Sequence, residues 1–224
     1  MLGHNVSMSL LVIPKTFFEN DISGNAGIIK EGSGILILSG KNTYTGENVI
    51  NGGELRVTGE VASQVKINNG GIFTTDGGTV ANNVINNSGN FRNIGNGGVI
   101  TGDYTADNNS VLENELGAEL RIKGRVFLGN SKLKILIPDG KENNYGYISE
   151  TGRKNKIIKA DMGISDNFGE VEVPELLIPE LKYGESYVEL DIKRKDVSEY
   201  AAAVYSLDKT RINSCSFSFF SLKR

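Results

Sequence analysis

His4, Ser7 and Ser9 stand close together in the segment GHNVSMS, and His4 is the sequence's one histidine. Histidine beside serine is the chemistry of acyl transfer, in which a base held by an acid activates a hydroxyl opposite an oxyanion hole. A catalytic head cannot be assembled from the nineteen residues ahead of Asn20, so the three are read as structural. The carboxylates Asp76, Asp103 and Asp107 raise glycoside hydrolysis, which needs two such groups about 5 to 10 Å apart, one with a raised pKa. Stacked strands about 4.8 Å apart could bring them near one another. Each sits among Gly, Asn and Thr, however, where turn capping accounts for it, and no Trp is present to stack on a sugar.

Metal and phosphate chemistry fare no better. Asp and Asn oxygens suit calcium, but the glycine-rich nonapeptide of calcium-binding β-rolls is absent. Gly32-Ser33-Gly34 suggests a phosphate cradle, yet a dinucleotide fingerprint needs a third glycine and a following helix, whereas Ile35 to Leu38 reads as a strand. Tyr44 is read as a corner aromatic packed along a coil edge rather than as a ligand contact. No catalytic, cofactor-binding or metal-binding residue is therefore assigned, and the chain is not expected to be an enzyme.

What would position such residues is a turn-rich, strand-rich chain. The 224 residues include 28 Gly and only 4 Pro, with 38% hydrophobic and 23% charged residues. Glycine is expensive inside regular elements, so this many implies many turns. The net charge of −3, with no basic patch, excludes a nucleic-acid binder, which must neutralise phosphates. Cys215 is alone, so no intrachain disulfide forms. The apolar run Met8 to Ile13 has no Lys or Arg before it and does not read as a signal peptide. No segment approaches the roughly 20 apolar residues of a membrane-spanning helix. The chain is expected to be a slice of a longer exported protein.

Repetition is the strongest signal. Corners recur at Asn51-Gly52-Gly53, Asn68-Asn69-Gly70-Gly71 and Asn86-Asn87-Ser88-Gly89, and the isoleucines Ile50, Ile67 and Ile85 lie 17 and then 18 residues apart. Alternation at the strand period accompanies them, Leu55 and Val57 flanking Arg56, and Val65 and Ile67 flanking Lys66. One such period cannot bury its apolar side alone, but stacked periods form a continuous core. The expected fold is all-β, a right-handed parallel β-helix, with stacked amide ladders from the corner asparagines. An antiparallel sandwich would need longer strands and tight two-residue hairpins.

The stretch from Asn20-Asp21-Ile22-Ser23-Gly24 through Gly32-Ser33-Gly34, Leu36-Ile37-Leu38-Ser39-Gly40-Lys41-Asn42-Thr43-Tyr44-Thr45-Gly46 and on to Val49-Ile50-Asn51-Gly52-Gly53-Glu54-Leu55-Arg56-Val57-Thr58-Gly59 resembles the autotransporter-associated β-strand repeat. The later section, with Pro174 to Leu177 and a closing strand-then-helix, more loosely resembles the passenger end of autotransporters with a subtilisin-like protease head. Ser7-Met8-Ser9 faintly echoes the nucleophile motif of such proteases, without its preceding Gly-Thr. The resemblance implies a secreted or surface-displayed stalk, attached to the outer membrane through a downstream β-barrel in a parent that carries a serine protease. A host-surface ligand and self-association of the fragment are the partners to expect. The alternatives are an adhesin for host glycans or proteins, or the remnant of the protease itself. The expected organisation is an irregular segment over 1–19, coils over 20–124, terminal coils and a capping β region over 125–195, a helix over 196–208 and an unstructured tail over 209–224. Asp196 with Glu199 gives the helix its capping-box start.

Overall fold

The computed structural model describes residues 6–8, 15–141, 155–175 and 177–195, with side chains from Lys15 onward except that of Arg194. Short strands separated by Gly and Asn corners send the chain round three faces in turn. One coil consists of Val65–Ile67, Gly71–Asp76 and Thr79–Val80, after which Val84–Asn86 returns to the first face. Each strand pairs in parallel with its counterpart one coil earlier and one coil later, so three sheets run the length of the stack. The fold is a parallel β-helix of six complete coils, all-β over the described residues. The helix and tail expected over 196–208 and 209–224 lie outside those residues.

Alternation decides what fills the interior. In the second sheet Leu36, Leu55, Phe73, Phe91, Leu112 and Leu133 are register partners from coil to coil and face inward, all but Leu36 fully buried. In the third sheet Val61, Val80, Ile100, Ile122 and Ala160 form the matching column. Phe73, Phe91 and Tyr104 stack in the middle, with successive ring centroids 5.3 and 5.4 Å apart. Each such side chain contributes roughly 1.5–3 kcal/mol by leaving water.

The corners set the register, and here the isoleucine spacing misleads. Ile50 pairs with Ile67, but Ile67 pairs with Asn86, not Ile85. This coil is one residue longer than the isoleucine count implies, so Ile85 points outward and Asn86 is buried. The steadier marker is the glycine entering the third sheet, Gly40, Gly59, Gly78 and Gly98. The carbonyl of each accepts a hydrogen bond from the next coil: from Glu60 N at 3.1 Å, Thr79 N at 2.8 Å, Val99 N at 3.0 Å and Arg121 N at 2.9 Å.

The stack also begins earlier than residue 20. Val6–Met8 pairs with Ile28–Lys30, and Lys15–Phe18 pairs with Ile35–Leu38, so part of the segment expected to be irregular joins the first two sheets. Lys15-Thr16-Phe17-Phe18 alternates too briefly to announce a strand, and its partner supplies the missing hydrogen bonds. Parallel pairing runs on through residue 125, since Val126 pairs with Tyr104 below and Ile164 above. The third sheet then changes sense. Asn155–Ala160 pairs in parallel with Leu120–Ile122 and antiparallel with Tyr187–Arg194, which folds back against Leu177–Tyr183. Leu177, Val188, Leu190 and Ile192 are buried beneath this hairpin. Its outer strand carries Pro179, Glu180 and Lys182, which blunt an edge otherwise open to further pairing.

Candidate functional site

The polar groups that the coils bring together lie inside and along the wall of the stack. Behind the column Leu38–Val57 the second sheet places Thr75, Asn93 and Asn114 in register, with Ile135 after them. Thr75 Oγ1 donates to Asn93 Oδ1 at 3.2 Å, and Asn93 Nδ2 donates to Asn114 Oδ1 at 2.8 Å. Asn114 Nδ2 then donates to the carbonyls of Glu115 and Ala118 at 3.0 and 2.9 Å, where the corner turns. All three side chains are fully buried. The expected amide ladder therefore exists, but it is built from strand asparagines. Of the corner asparagines Asn86 is buried, whereas Asn51, Asn68, Asn69 and Asn87 are at least partly exposed, and there Asn68 Nδ2 donates to Asn51 Oδ1 at 2.8 Å. The signal was in the sequence as Asn93, two positions from Phe91 and so on the same face.

Two further polar clusters occupy the stack. Lys30 is buried, and its Nζ donates to the carbonyls of Glu31 at 2.9 Å and of Gly32 and Gly52 at 3.1 Å each, joining two coils at one corner. Burial lowers its pKa from the ordinary lysine value, and the charge of Glu54 partly offsets this. On the outer wall Arg92 spans two coils, 2.6 Å from Glu113 and 3.6 Å from Glu54, which also holds Arg56 at 2.8 Å. Sequence reading missed both clusters, because Lys30 and Glu54 meet only when one coil is laid on the next.

The candidate residues scatter. Asp76 ends a second-sheet strand, Asp103 sits in the corner between the third and first sheets, and Asp107 in the corner between the first and second. Asp103 Oδ1 accepts from Arg125 N at 2.7 Å, as turn capping requires. Asp107 accepts from Ser88 N at 3.1 Å, Ser88 Oγ at 2.8 Å and Asn109 N at 3.1 Å, and Ser110 Oγ lies 2.7 Å from it. Burial alone would raise the Asp107 pKa, but the bonds from Ser110, Ser88 and Asn109 outweigh it and hold the pKa below the usual carboxylate value. A depressed folded-state pKa stabilises the fold above the unfolded value of about 4, and that contribution is lost as pH falls from there through the lower folded-state value. Asp107→Ala is thus expected to lose about 1–2 kcal/mol at neutral pH. The gap from the parent should close in acid, as chemical denaturation at stepped pH would show.

Tyr44 lies within the coil rather than at its edge. It is buried, with its hydroxyl donating to Asn48 Oδ1, while Asn48 Nδ2 donates to Ser63 Oγ at 2.9 Å. Burial pushes the Tyr44 phenol well above its ordinary pKa. Gly32-Ser33-Gly34 leads into the strand Ile35–Leu38 as expected, with the Gly32 carbonyl turned to Lys30. Ser7 falls in the strand Val6–Met8, whereas His4, Ser9 and Cys215 lie outside the described residues. A cavity of about 270 Å³ near the first coils is lined by Phe18, Ile22, Ile28, Leu36, Leu38 and Tyr44, among others. Among the described residues no group of His, Cys, Asp and Glu is arranged to hold a metal, and no helix is long and apolar enough to cross a membrane.

Residues 28–57 match the passenger-associated-transport-repeat, a stretch that runs through one whole coil, Ile28–Lys30, Ile35–Leu38 and Lys41–Asn42, and the first two strands of the next. The chain is similar to the Neisserial autotransporter lipoprotein NalP of Neisseria meningitidis serogroup B. The two are 30% identical over 150 residues, which cover 64% of this chain and 13% of that protein. It is also similar to an extracellular serine protease of Serratia marcescens, 45% identical over 60 residues that make up 27% of this chain and 6% of the relative. The matched region is thus a small part of either relative's length.

Proposed function

We propose, from the premise that this chain carries the passenger repeat of autotransporters in a parallel β-helix, that it is a non-catalytic stalk segment of a surface-displayed or secreted passenger. The observation that carries the reading is the continuity of its ladders. Eight strands in each sheet, stacked about 4.8 Å apart, make a rod roughly 34 Å long. Its interior is filled by apolar columns and a closed amide ladder, so that each coil is a template for the next. Such a rod suits holding a head away from the membrane and folding coil by coil as it emerges. The full-length parent would supply an outer-membrane β-barrel as its partner, and the serine protease named among the relatives suggests the kind of head it carries.

The test is a chimera that joins a reporter head, this chain and an autotransporter barrel. Surface display is expected to need the intact coils and to fall sharply when the coils over residues 48–122 are deleted. Undiminished display after that deletion would sink the stalk reading. The isolated chain is expected to show no peptidase activity, and turnover abolished by His4→Ala would overturn the non-catalytic one.

Adhesion is the second reading, and one observation favours it. The outward column of the first sheet aligns Ile29, Val49, Lys66, Ile85, Thr105 and Phe127, all at least partly exposed. A largely apolar stripe of this kind on an outer wall, interrupted by Lys66 and Thr105, suits a protein ligand or a second copy of the rod. Loss of cell adherence by Ile85→Lys with Phe127→Lys, display being unchanged, would support it.

A further inference from the structure

Three stacked corners join the first sheet to the second, at Asn51-Gly52, Asn69-Gly70 and Asn87-Ser88. Their alignment follows from the register in which Gly71 pairs with Gly53 and Ile72 with Asn90. An asparagine followed by a residue with an unhindered backbone nitrogen can react with itself. The nitrogen of the following residue attacks the side-chain carbonyl carbon and ammonia leaves, closing a five-membered imide. Water then opens the imide at either carbonyl to give aspartate or isoaspartate. The attacking nitrogen must surrender its proton, so a hydrogen bond to that N–H protects the pair.

The corners differ in how that N–H is bonded. At the earlier corner Gly52 N–H donates to the Lys30 carbonyl at 3.3 Å, and Asn51 Oδ1 accepts from Asn68. At the later corner Ser88 N–H donates to Asp107 Oδ1 at 3.1 Å and to Ser110 Oγ at 3.0 Å. A further Asn-Gly pair, Asn96-Gly97, has its Gly97 N–H donating to the Ile94 carbonyl at 2.9 Å. Between them, Gly70 N–H and the Asn69 side chain make no hydrogen bond among the described residues, and both residues are exposed. The Asn68 to Gly71 turn is closed instead by Gly71 N–H donating to the Asn68 carbonyl at 2.9 Å, with Gly70 at φ +87°. A side chain placed at Gly70 would come no nearer to its surroundings than 3.5 Å from the Asn51 carbonyl oxygen, so water reaches the corner freely.

We propose that Asn69 is a modification site, at which the folded protein deamidates spontaneously and selectively. The product puts a carboxylate on an uncharged corner. In its isoaspartyl form it also adds a methylene to the backbone at a corner whose length keeps adjacent coils in register. A displayed rod would thereby carry a mark of its age on one edge, whether it serves as stalk or adhesin.

The experiment incubates the whole chain, folded and then urea-unfolded, in mildly alkaline buffer and follows each asparagine by peptide mapping and isoaspartate labelling. In the folded protein Asn69 is expected to convert about tenfold or more faster than Asn51, Asn87 or Asn96, the factor that one protecting hydrogen bond supplies. In urea Asn69, Asn51 and Asn96 should convert at similar rates, since each precedes glycine. Asn69→Gln should remove the early event and leave the other sites unchanged. Equal rates at Asn69, Asn51 and Asn96 in the folded protein, or a preference for Asn69 that survives unfolding, would overturn the proposal.

Discussion

Asn93→Ala is expected to destabilise the β-helix by about 3–5 kcal/mol, because it removes the middle rung of the buried ladder. Thr75 Oγ1 loses its acceptor, Asn114 Oδ1 loses its donor, and both stay out of reach of water. Each stranded group carries a desolvation penalty of roughly 1–3 kcal/mol, to which the small cavity adds. Asn93→Asp separates the charge from the shape. In acid the protonated carboxyl still accepts from Thr75 and donates to Asn114, so this variant should approach the parent measured at the same pH. Burial raises the folded-state pKa of that new acid above its unfolded value of about 4. Stability relative to the parent must then fall as pH climbs from the unfolded value to the raised one, because the folded state binds the extra proton across that interval. Urea titrations across acid and neutral pH would show this. An Asn93→Asp penalty independent of pH would mean that water reaches the ladder.

Gly59→Val should be at least as damaging, by about 3 kcal/mol or more, for a steric reason. A Cβ at this corner would lie 2.3 Å from the carbonyl oxygens of both Gly40 and Ser39. Those atoms belong to the backbone of the preceding coil and cannot swing aside. Relief requires the coils to part, and with them the bond from Thr79 N to the Gly59 carbonyl and the bond from Gly59 N to Leu38 O. The neighbouring Thr58 is exposed, and Thr58→Ser should stay within about 0.5 kcal/mol. Hydrogen exchange should place the first loss of protection in Gly59→Val at the third-sheet strands Lys41–Asn42, Glu60–Val61 and Thr79–Val80. Loss confined to the C-terminal hairpin would contradict the steric account.

The amino-acid order alone was enough to determine the stacked-coil fold. Leu55 and Val57 around Arg56, and Val65 and Ile67 around Lys66, state which residues turn inward, because a strand's side chains alternate whatever its partner. The repeat that reads from Gly32 to Gly59 is local in the same sense, since its glycines and asparagines answer to corner geometry within one coil. These are short-range constraints, and they are visible in a single line of text.

What lies across coils was decided only by the tertiary structure. Asn86 pairs with Ile67 because that coil takes one more residue than its predecessor at each of two corners, before Gly71 and before Thr79, a difference that the spacing of isoleucines half conceals. Lys30 finds the Gly52 carbonyl, Arg92 clasps Glu54 and Glu113, and Asn69 is the corner whose following N–H goes unbonded among the described residues, all between residues about 20 or more positions apart or by contrast with neighbours at that distance. The physical reason is that register between coils is the sum of every corner's length. An uncertainty of one residue at any corner reverses which side chains face the core. Alternation within a strand carries no such accumulated error, so the sequence could determine the wall of the rod, whereas only the folded stack decided which polar groups meet inside it.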